Sequence, residues 1–257
     1  MGRRPTARAA RLGEQSASGR DIGGGDDLGT LIRFAQLPGV PFQNENQRMV
    51  KVVFRGDELG SRCLLTYEHS VYFTQGSSPP HADSMSEEVI YFRRGSGFVQ
   101  RDAEEAPARP GASVAIPRGQ LHRVVNTGKD FMEHWLLGAA LGETPTTASS
   151  PAYLNGTTLL TPGGESGLER LACRRMELEP GQAGEPECFA THESVYSVSG
   201  GCGVIQVSTP DGKYSWEYTI DGTTAFWLPA ETRHTFRNAG DCQLSLVGFH
   251  AWVDPTP

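Results

Sequence analysis

No stretch of the sequence stays apolar for the roughly 18–20 residues that a membrane-spanning helix needs. The longest candidate, residues 135–141, is far shorter. Basic residues are not in excess either. Lys and Arg number 23 against 30 Asp and Glu, a formal net charge of −7. That balance argues against general nucleic-acid binding, which usually needs a basic surface. Cysteine is scarce, with five residues at Cys63, Cys173, Cys188, Cys202 and Cys242. None falls in a CxxC or CxxCH spacing, so zinc-ribbon, thioredoxin-like and c-type haem sites have no basis. The first fourteen or so residues lack the apolar core of a secretory leader. Met1, Gly2 and Thr6 fit a myristoylation pattern only formally. A cytoplasmic protein with free thiols is expected. There is no Gly-rich phosphate loop, GxSxG elbow or HExxH helix.

Glycine and proline, by contrast, are plentiful (31 and 17). They separate short runs rich in Val, Ile, Phe and Tyr at residues 49–54, 61–73, 89–100, 112–116 and 122–125. The same texture returns at 170–178, 194–198, 203–207, 214–220, 224–228 and 244–253. Such spacing predicts an all-β sandwich or barrel. Residues 1–28, with five arginines and Gly23–Gly25, can bury little apolar surface and are expected to form a flexible N-terminal arm. Residues 29–34 hint at a short helix. A Thr, Ser, Pro and Gly-rich stretch over 142–168 is expected to link two halves, 29–147 and 148–257.

The halves resemble each other. At an offset of 105 residues, Gly76 meets Gly181, Glu88 meets Glu193 and Gly95 meets Gly200. At 112, Pro117 meets Pro229, His122 meets His234 and Asn126 meets Asn238. Two tandem copies of one β fold follow. In the first copy His81 and Asp83, two apart, would share a face of a strand. Glu88 and His122 would arrive on other strands. Imidazole and carboxylate together suit a divalent first-row metal.

These residues carry a family resemblance. His81-x-Asp83-x4-Glu88-x6-Gly95 resembles the first cupin motif, with Asp83 where the second histidine usually stands. Gly111-x5-Pro117-x-Gly119-x2-His122-x3-Asn126 matches the second motif without departure. The chain is identified as a bicupin, implying two tandem cupin barrels (double-stranded β-helix or jelly roll). The resemblance implies His81, Glu88 and His122 as metal ligands and offers Asp83 as the fourth. Fe(II) is favoured, with Mn(II), Ni(II) or Zn(II) as alternatives. In the second copy Pro186 and Cys188 take the places of His81 and Asp83, and His192 should face away from Glu193. That copy reads as structural or dimer-forming, a Cys188/Glu193/His234 site being the alternative.

Tyr67, His69 and His134 are weaker candidates for acid–base roles beside the metal, packing being the plainer role. The function this implies is a mononuclear non-haem Fe(II) dioxygenase or oxygenase acting on a small organic molecule. The alternatives are a non-redox isomerase, cyclase or decarboxylase on the same site, and a non-catalytic small-molecule binding module. A small-molecule substrate is the expected partner, with no nucleic acid and no membrane. A homodimer is left open.

Overall fold

Alternation of side chains decides which face each strand presents, and here several of the longest strands bury apolar side chains on both faces. The computed structural model describes residues 20–22, 28–37, 42–142 and 156–253. In chain order its strands are β1 (Arg20–Ile22), β2 (Thr30–Arg33), β3 (Arg48–Arg55), β4 (Leu64–Tyr72), β5 (Ser86–Arg94), β6 (Gly97–Arg101), β7 (Glu104–Ala108), β8 (Ser113–Ile116), β9 (His122–Asn126) and β10 (Met132–Ala140). The second half supplies β11 (Thr157–Leu160), β12 (Leu171–Leu178), β13 (Glu187–Cys188), β14 (His192–Gly200), β15 (Cys202–Ser208), β16 (Ser215–Asp221), β17 (Thr224–Leu228), β18 (Arg233–Asn238) and β19 (Leu244–Trp252). No described helix is long and apolar enough to cross a membrane.

The first half pairs a sheet of order β3-β4-β10-β5-β8 with one of order β7-β6-β9. The second repeats this plan as β11-β12-β19-β14-β17 and β13-β18-β15-β16. One apolar cluster, including Tyr72, Phe92, Val99, Val124 and Met132, fills the first barrel. Another, including Ile205, Phe226, Phe236 and Leu246, fills the second. The largest cluster lies between the barrels, where Phe54, Tyr67, Trp135 and Leu137 meet Cys173, Val195, Val247 and Phe249. The large sheets are therefore buried on both faces, which explains apolar runs too dense for simple alternation.

Two expectations are corrected. Residues 29–34 are not a helix: Thr30–Arg33 is a strand that pairs with β17, followed by a 3-10 turn at Phe34–Gln36. A free strand edge offers hydrogen bonds that a four-residue helix cannot match. Residues 30–33, assigned with the first barrel, thus extend the sheet of the second. The expected arm lies outside the described residues except for Arg20–Ile22 and Leu28, and Arg20–Ile22 pairs with β2. Of the expected linker, Thr157–Leu160 is strand β11, paired to β12, and residues 143–155 lie outside the described residues.

The repeat is real, but its register differs by one residue in the first block. Glu88 pairs with Gly138 and Ile116. Ser194 pairs with His250 and Leu228, the residues 112 positions later. The counterpart of Glu88 is therefore Ser194, at an offset of 106, and Glu193 is the counterpart of Glu87. A slip of one residue exchanges the two faces of a strand.

Glu87 and Glu193 both face the other barrel. The Glu87 carboxylate accepts backbone N–H bonds from Glu169, Arg170 and Leu171 at 2.6, 2.9 and 2.7 Å. Glu193 accepts from Ser61 Oγ at 2.5 Å and Arg62 N at 2.8 Å. Burial raises the Glu87 carboxyl above the usual range, and the three amide bonds oppose that rise. Glu87→Gln keeps the shape but loses an acceptor and points an amide N–H at other donors. It should destabilise the fold by about 3 kcal/mol, lowering the melting temperature by roughly 6–12 °C. Calorimetry checks this; an unchanged melt would remove the clamp from the account.

Candidate metal centre

The Pro117–Gly119 turn presents His122 at the start of β9. Gly119 has φ +71, and its N–H bonds to the Asp83 carbonyl at 2.7 Å. His81 and His122 form an isolated antiparallel bridge, N–H to carbonyl, at 3.0 and 2.9 Å. Their rings lie 4.2 Å apart, centroid to centroid. Asn126 closes the following loop: its Nδ2 donates to Tyr72 O, Phe73 O and Asp130 O, and its Oδ1 accepts from Gly128 N.

His81, Glu88 and His122 each offer a ligand atom, all within 4.8 Å of one another. Nδ1 of His81 lies 3.0 Å from Pro79 O, and Nδ1 of His122 lies 3.1 Å from Gln120 O. A carbonyl can only accept, so both Nδ1 atoms carry a proton, and in the neutral ring the lone pair is left on Nε2. Oε2 of Glu88 is buried 3.2 Å from His122 Nε2 and has no well-aligned hydrogen-bond partner. Two lone pairs and an orphaned carboxylate oxygen facing one point fit a divalent cation. Burial pulls the His122 imidazole down, but the Glu88 carboxylate beside its Nε2 outweighs burial and holds the pKa above its ordinary value.

Asp83 does not join the cluster. The strand-like segment ends at His81, so the two-residue alternation that would aim Asp83 inward does not apply. Asp83 is exposed, and its Oδ1 accepts from Met85 N at 2.7 Å. Tyr67 and His69 also face away from the cluster. Tyr67 is buried between the barrels, its hydroxyl 2.7 Å from Ser197 Oγ. His69 stacks on Phe34 and lies 3.4 Å from Glu133. His134 does face inward, its Nε2 3.4 Å from the Tyr72 hydroxyl. Burial holds it down to about 3, so it is neutral.

The triad opens into a cavity of about 380 Å³ whose lining includes Arg48, Glu68, Ser70, Tyr72 and His134. Sequence reasoning missed Arg48, Glu68, Ser70 and Tyr72. The signal available was the even-numbered alternation on β4, where Tyr67 and His69 drew attention to the odd face. Burial, and then the charge of Glu88, raises the Glu68 carboxyl. A larger groove of about 580 Å³, bounded by Leu159, Pro162 and Arg101, lies elsewhere and holds none of these ligands.

In the second barrel the equivalent place is filled from within. Glu187 pairs with His234 as His81 does with His122. Arg174, opposite Gly248, occupies the position of Glu68, opposite Leu136. Arg174 is wholly buried and donates to Glu187 at 2.7 and 2.5 Å and also to the Tyr196 hydroxyl. His234 Nε2 lies 3.3 Å from Glu187. The Cys188/Glu193/His234 grouping does not form, because Cys188 is exposed against Glu231 O and Glu193 serves the inter-barrel clamp. Among the described residues the His81 cluster is the only group of three with metal-ligand spacing.

Comparison with known proteins agrees with this geometry. Residues 70–136, which contain all three ligands, match the family model of the cupin domain. The E. coli protein Ylba is similar over 96% of this chain and 97% of its own at 13% identity, with a TM-score of 0.63. The oxalate decarboxylase of Lactobacillus farciminis, solved as a formate complex, covers 88% and 86% at 12% identity (TM-score 0.65). Procruciferin, an 11S globulin from Brassica napus, covers 90% and 87% at 10% identity (TM-score 0.67). At such identities the likeness is one of fold. No curated protein sequence matches the chain. The cupin domain, residues 70–136, is the part of the chain that carries the His81, Glu88 and His122 cluster, and the fold as a whole is similar to that of these structures.

Two measurements test this site. His122→Ala should abolish metal binding, whereas Asp83→Ala and His234→Ala should retain it, read by elemental analysis of dialysed protein. Affinity should fall as pH is lowered, because the proton that Glu88 stabilises on His122 must leave before an ion is held. Equal loss in His234→Ala would contradict the asymmetry.

The second barrel predicts acid lability. Burial, and then the charge of Arg174, holds His192 down to about 3 and His250 well below its ordinary value. Both are neutral in the fold. Their contribution is complete above the unfolded pKa of about 6.5 and is lost as pH falls toward the folded values. Denaturant midpoints should drop from about pH 7 to about pH 4, and His192→Phe should flatten that slope. A slope unaltered by His192→Phe would count against this source.

Proposed function

We propose that the protein is a metal-dependent enzyme whose first barrel acts on a small organic molecule, with Fe(II) as the ion and oxygenase chemistry as the reaction. The observation that carries this reading is the set of two histidines and one carboxylate without Asp83. Three protein ligands on one side of an ion leave coordination positions free, the usual environment of non-haem iron oxygenases. When bound, the ion would supply a Lewis acid and a one-electron reductant for dioxygen.

The chain's own residues do the rest. Pro79 and Gln120 carbonyls fix the two imidazoles in the ligating tautomer. Val50, Val52, Ile90, Val124 and Leu136 line the cavity and limit water around the reacting atoms. Neutral His134 and Tyr72 offer hydrogen bonds without adding charge. The five free cysteines suit a reducing compartment, so a cytoplasmic location belongs to the same proposal.

A second reading, non-redox isomerisation or decarboxylation at the same ion, is favoured by Glu68. Its carboxyl lines the same cavity as His81, Glu88 and His122, where it can carry a proton to or from a bound molecule. The two are separated by metal analysis of protein purified without added metal, followed by oxygen uptake with a panel of small organic substrates. Iron near one per chain with substrate-dependent oxygen consumption is the expected result. Turnover without oxygen consumption would replace the oxygenase by the second reading. Absence of metal under every loading condition would overturn both.

A further inference from the structure

The first barrel's cavity combines features that together select a ligand. Five of its lining side chains, Val50, Val52, Ile90, Val124 and Leu136, are aliphatic. Arg48 lines it as well. This residue is the first of β3, paired with Tyr72, and Gln43 braces it: Oε1 of Gln43 accepts from Arg48 Nε at 2.6 Å. The brace holds the guanidinium by one edge. Arg48 is only half-buried; its charge acts on the Glu68 carboxyl and its guanidinium reaches the Tyr72 hydroxyl, both on the cavity wall. A guanidinium oriented by Gln43 and Tyr72 in a confined space, with the Glu68 carboxylate acting on it, is placed to take an anion once a divalent ion offsets the acidic side chains. With a divalent ion in place, the two charges of the ion and that of Arg48 exceed the ionised carboxylates of Glu68 and Glu88 by one. The site is then matched to a single negative charge.

We infer that the cavity takes a small monocarboxylate with an apolar body, its carboxylate on Arg48, its body against the aliphatic side chains and an oxygen function toward His81, Glu88 and His122. The inference rests on the metal-enzyme reading and narrows its substrate to one class. A compact dianion would leave the five aliphatic side chains without a partner and would carry one charge too many.

The test uses 3-phenylpropionate and 3-phenylpropanamide, which share a shape and differ by one charge. Both are titrated calorimetrically into zinc-loaded and into chelator-treated protein, with zinc content measured in the same samples. The zinc-loaded protein should bind the acid about tenfold more tightly than the amide, or better. The chelator-treated protein should show a smaller preference. Arg48→Met should erase the preference in both forms, and Arg48→Lys should keep part of it. If Arg48→Met melts early, Gln43→Ala, which frees the guanidinium from its brace, should weaken the acid and spare the amide. Equal affinity for the two probes, binding of neither, or a preference that survives in a normally melting Arg48→Met would overturn the inference. Zinc at full stoichiometry without an acid preference contradicts only the carboxylate assignment. Failure to take up zinc contradicts the metal enzyme, and the preference in metal-free protein then still tests Arg48.

Discussion

Each barrel sends one buried glutamate into the other, and the aim of the metal ligands depends on that exchange. Glu87 takes the amides of residues 169–171, and Glu193 takes Ser61 and the amide of Arg62. Because successive side chains on a strand point to opposite faces, fixing Glu87 outward fixes Glu88 inward. A one-residue slip of β5 would strand two carboxylates at once, one without donors and one without its place at the triad. The inter-barrel clamp and the candidate metal centre are thus two faces of one strand. Arg118 ties the same region together. It follows Pro117 in the turn that presents His122 and reaches Glu169 of the second barrel at 2.7 Å.

The two barrels keep the same frame and part company at three positions. Asn238 closes its loop as Asn126 does, through Leu178 O and Cys242 O, with Gly240 N on its Oδ1. His234 is held through Thr232 O as His122 is held through Gln120 O. Glu231 even retains the left-handed backbone of Gly119, at φ 66, where a side chain costs about 1 kcal/mol or more. What changes is the chemistry of the interior: Glu68, His81 and Glu88 give way to Arg174, Glu187 and Ser194. A guanidinium on a tether stands where the first barrel has Glu68, and against the upward pull of burial the hydrogen bond from His234, then those from Arg174, hold the Glu187 carboxyl at about 2. The second barrel is closed by its own charges, and the first keeps an opening for an ion and a ligand.

Much of this was legible in the sequence, and the failures share one cause. The second motif could be read directly because the Pro117 turn and the His122 strand are local, so spacing maps straight onto geometry. His81, Glu88 and His122 were found, and the structure brings them together. Asp83 was misplaced because two-residue alternation was extended past the end of a strand. Tyr67 and His69 were preferred over Glu68, Ser70 and Tyr72 because the odd face of β4, with Leu65, Tyr67 and Val71, is the more apolar one, yet Tyr67 on it packs against the other barrel and the cavity face is the polar one. The repeat slipped by one because Glu87-Glu88 and His192-Glu193 align about equally well as text. Only strand pairing decides between them. Arg48 and Arg174 carried no signal, since their meaning arises from which neighbours long-range pairing supplies.

The central claim is that one barrel holds an ion where the other holds an arginine. Anomalous diffraction from crystals soaked in a divalent transition metal, recorded above and below its absorption edge, tests this most directly. The account predicts one strong anomalous peak bounded by His81, Glu88 and His122, Asp83 outside its coordination, and no peak beside Glu187 and His234. A peak in the second barrel, or a first barrel that stays empty while the crystal takes up metal elsewhere, would contradict it.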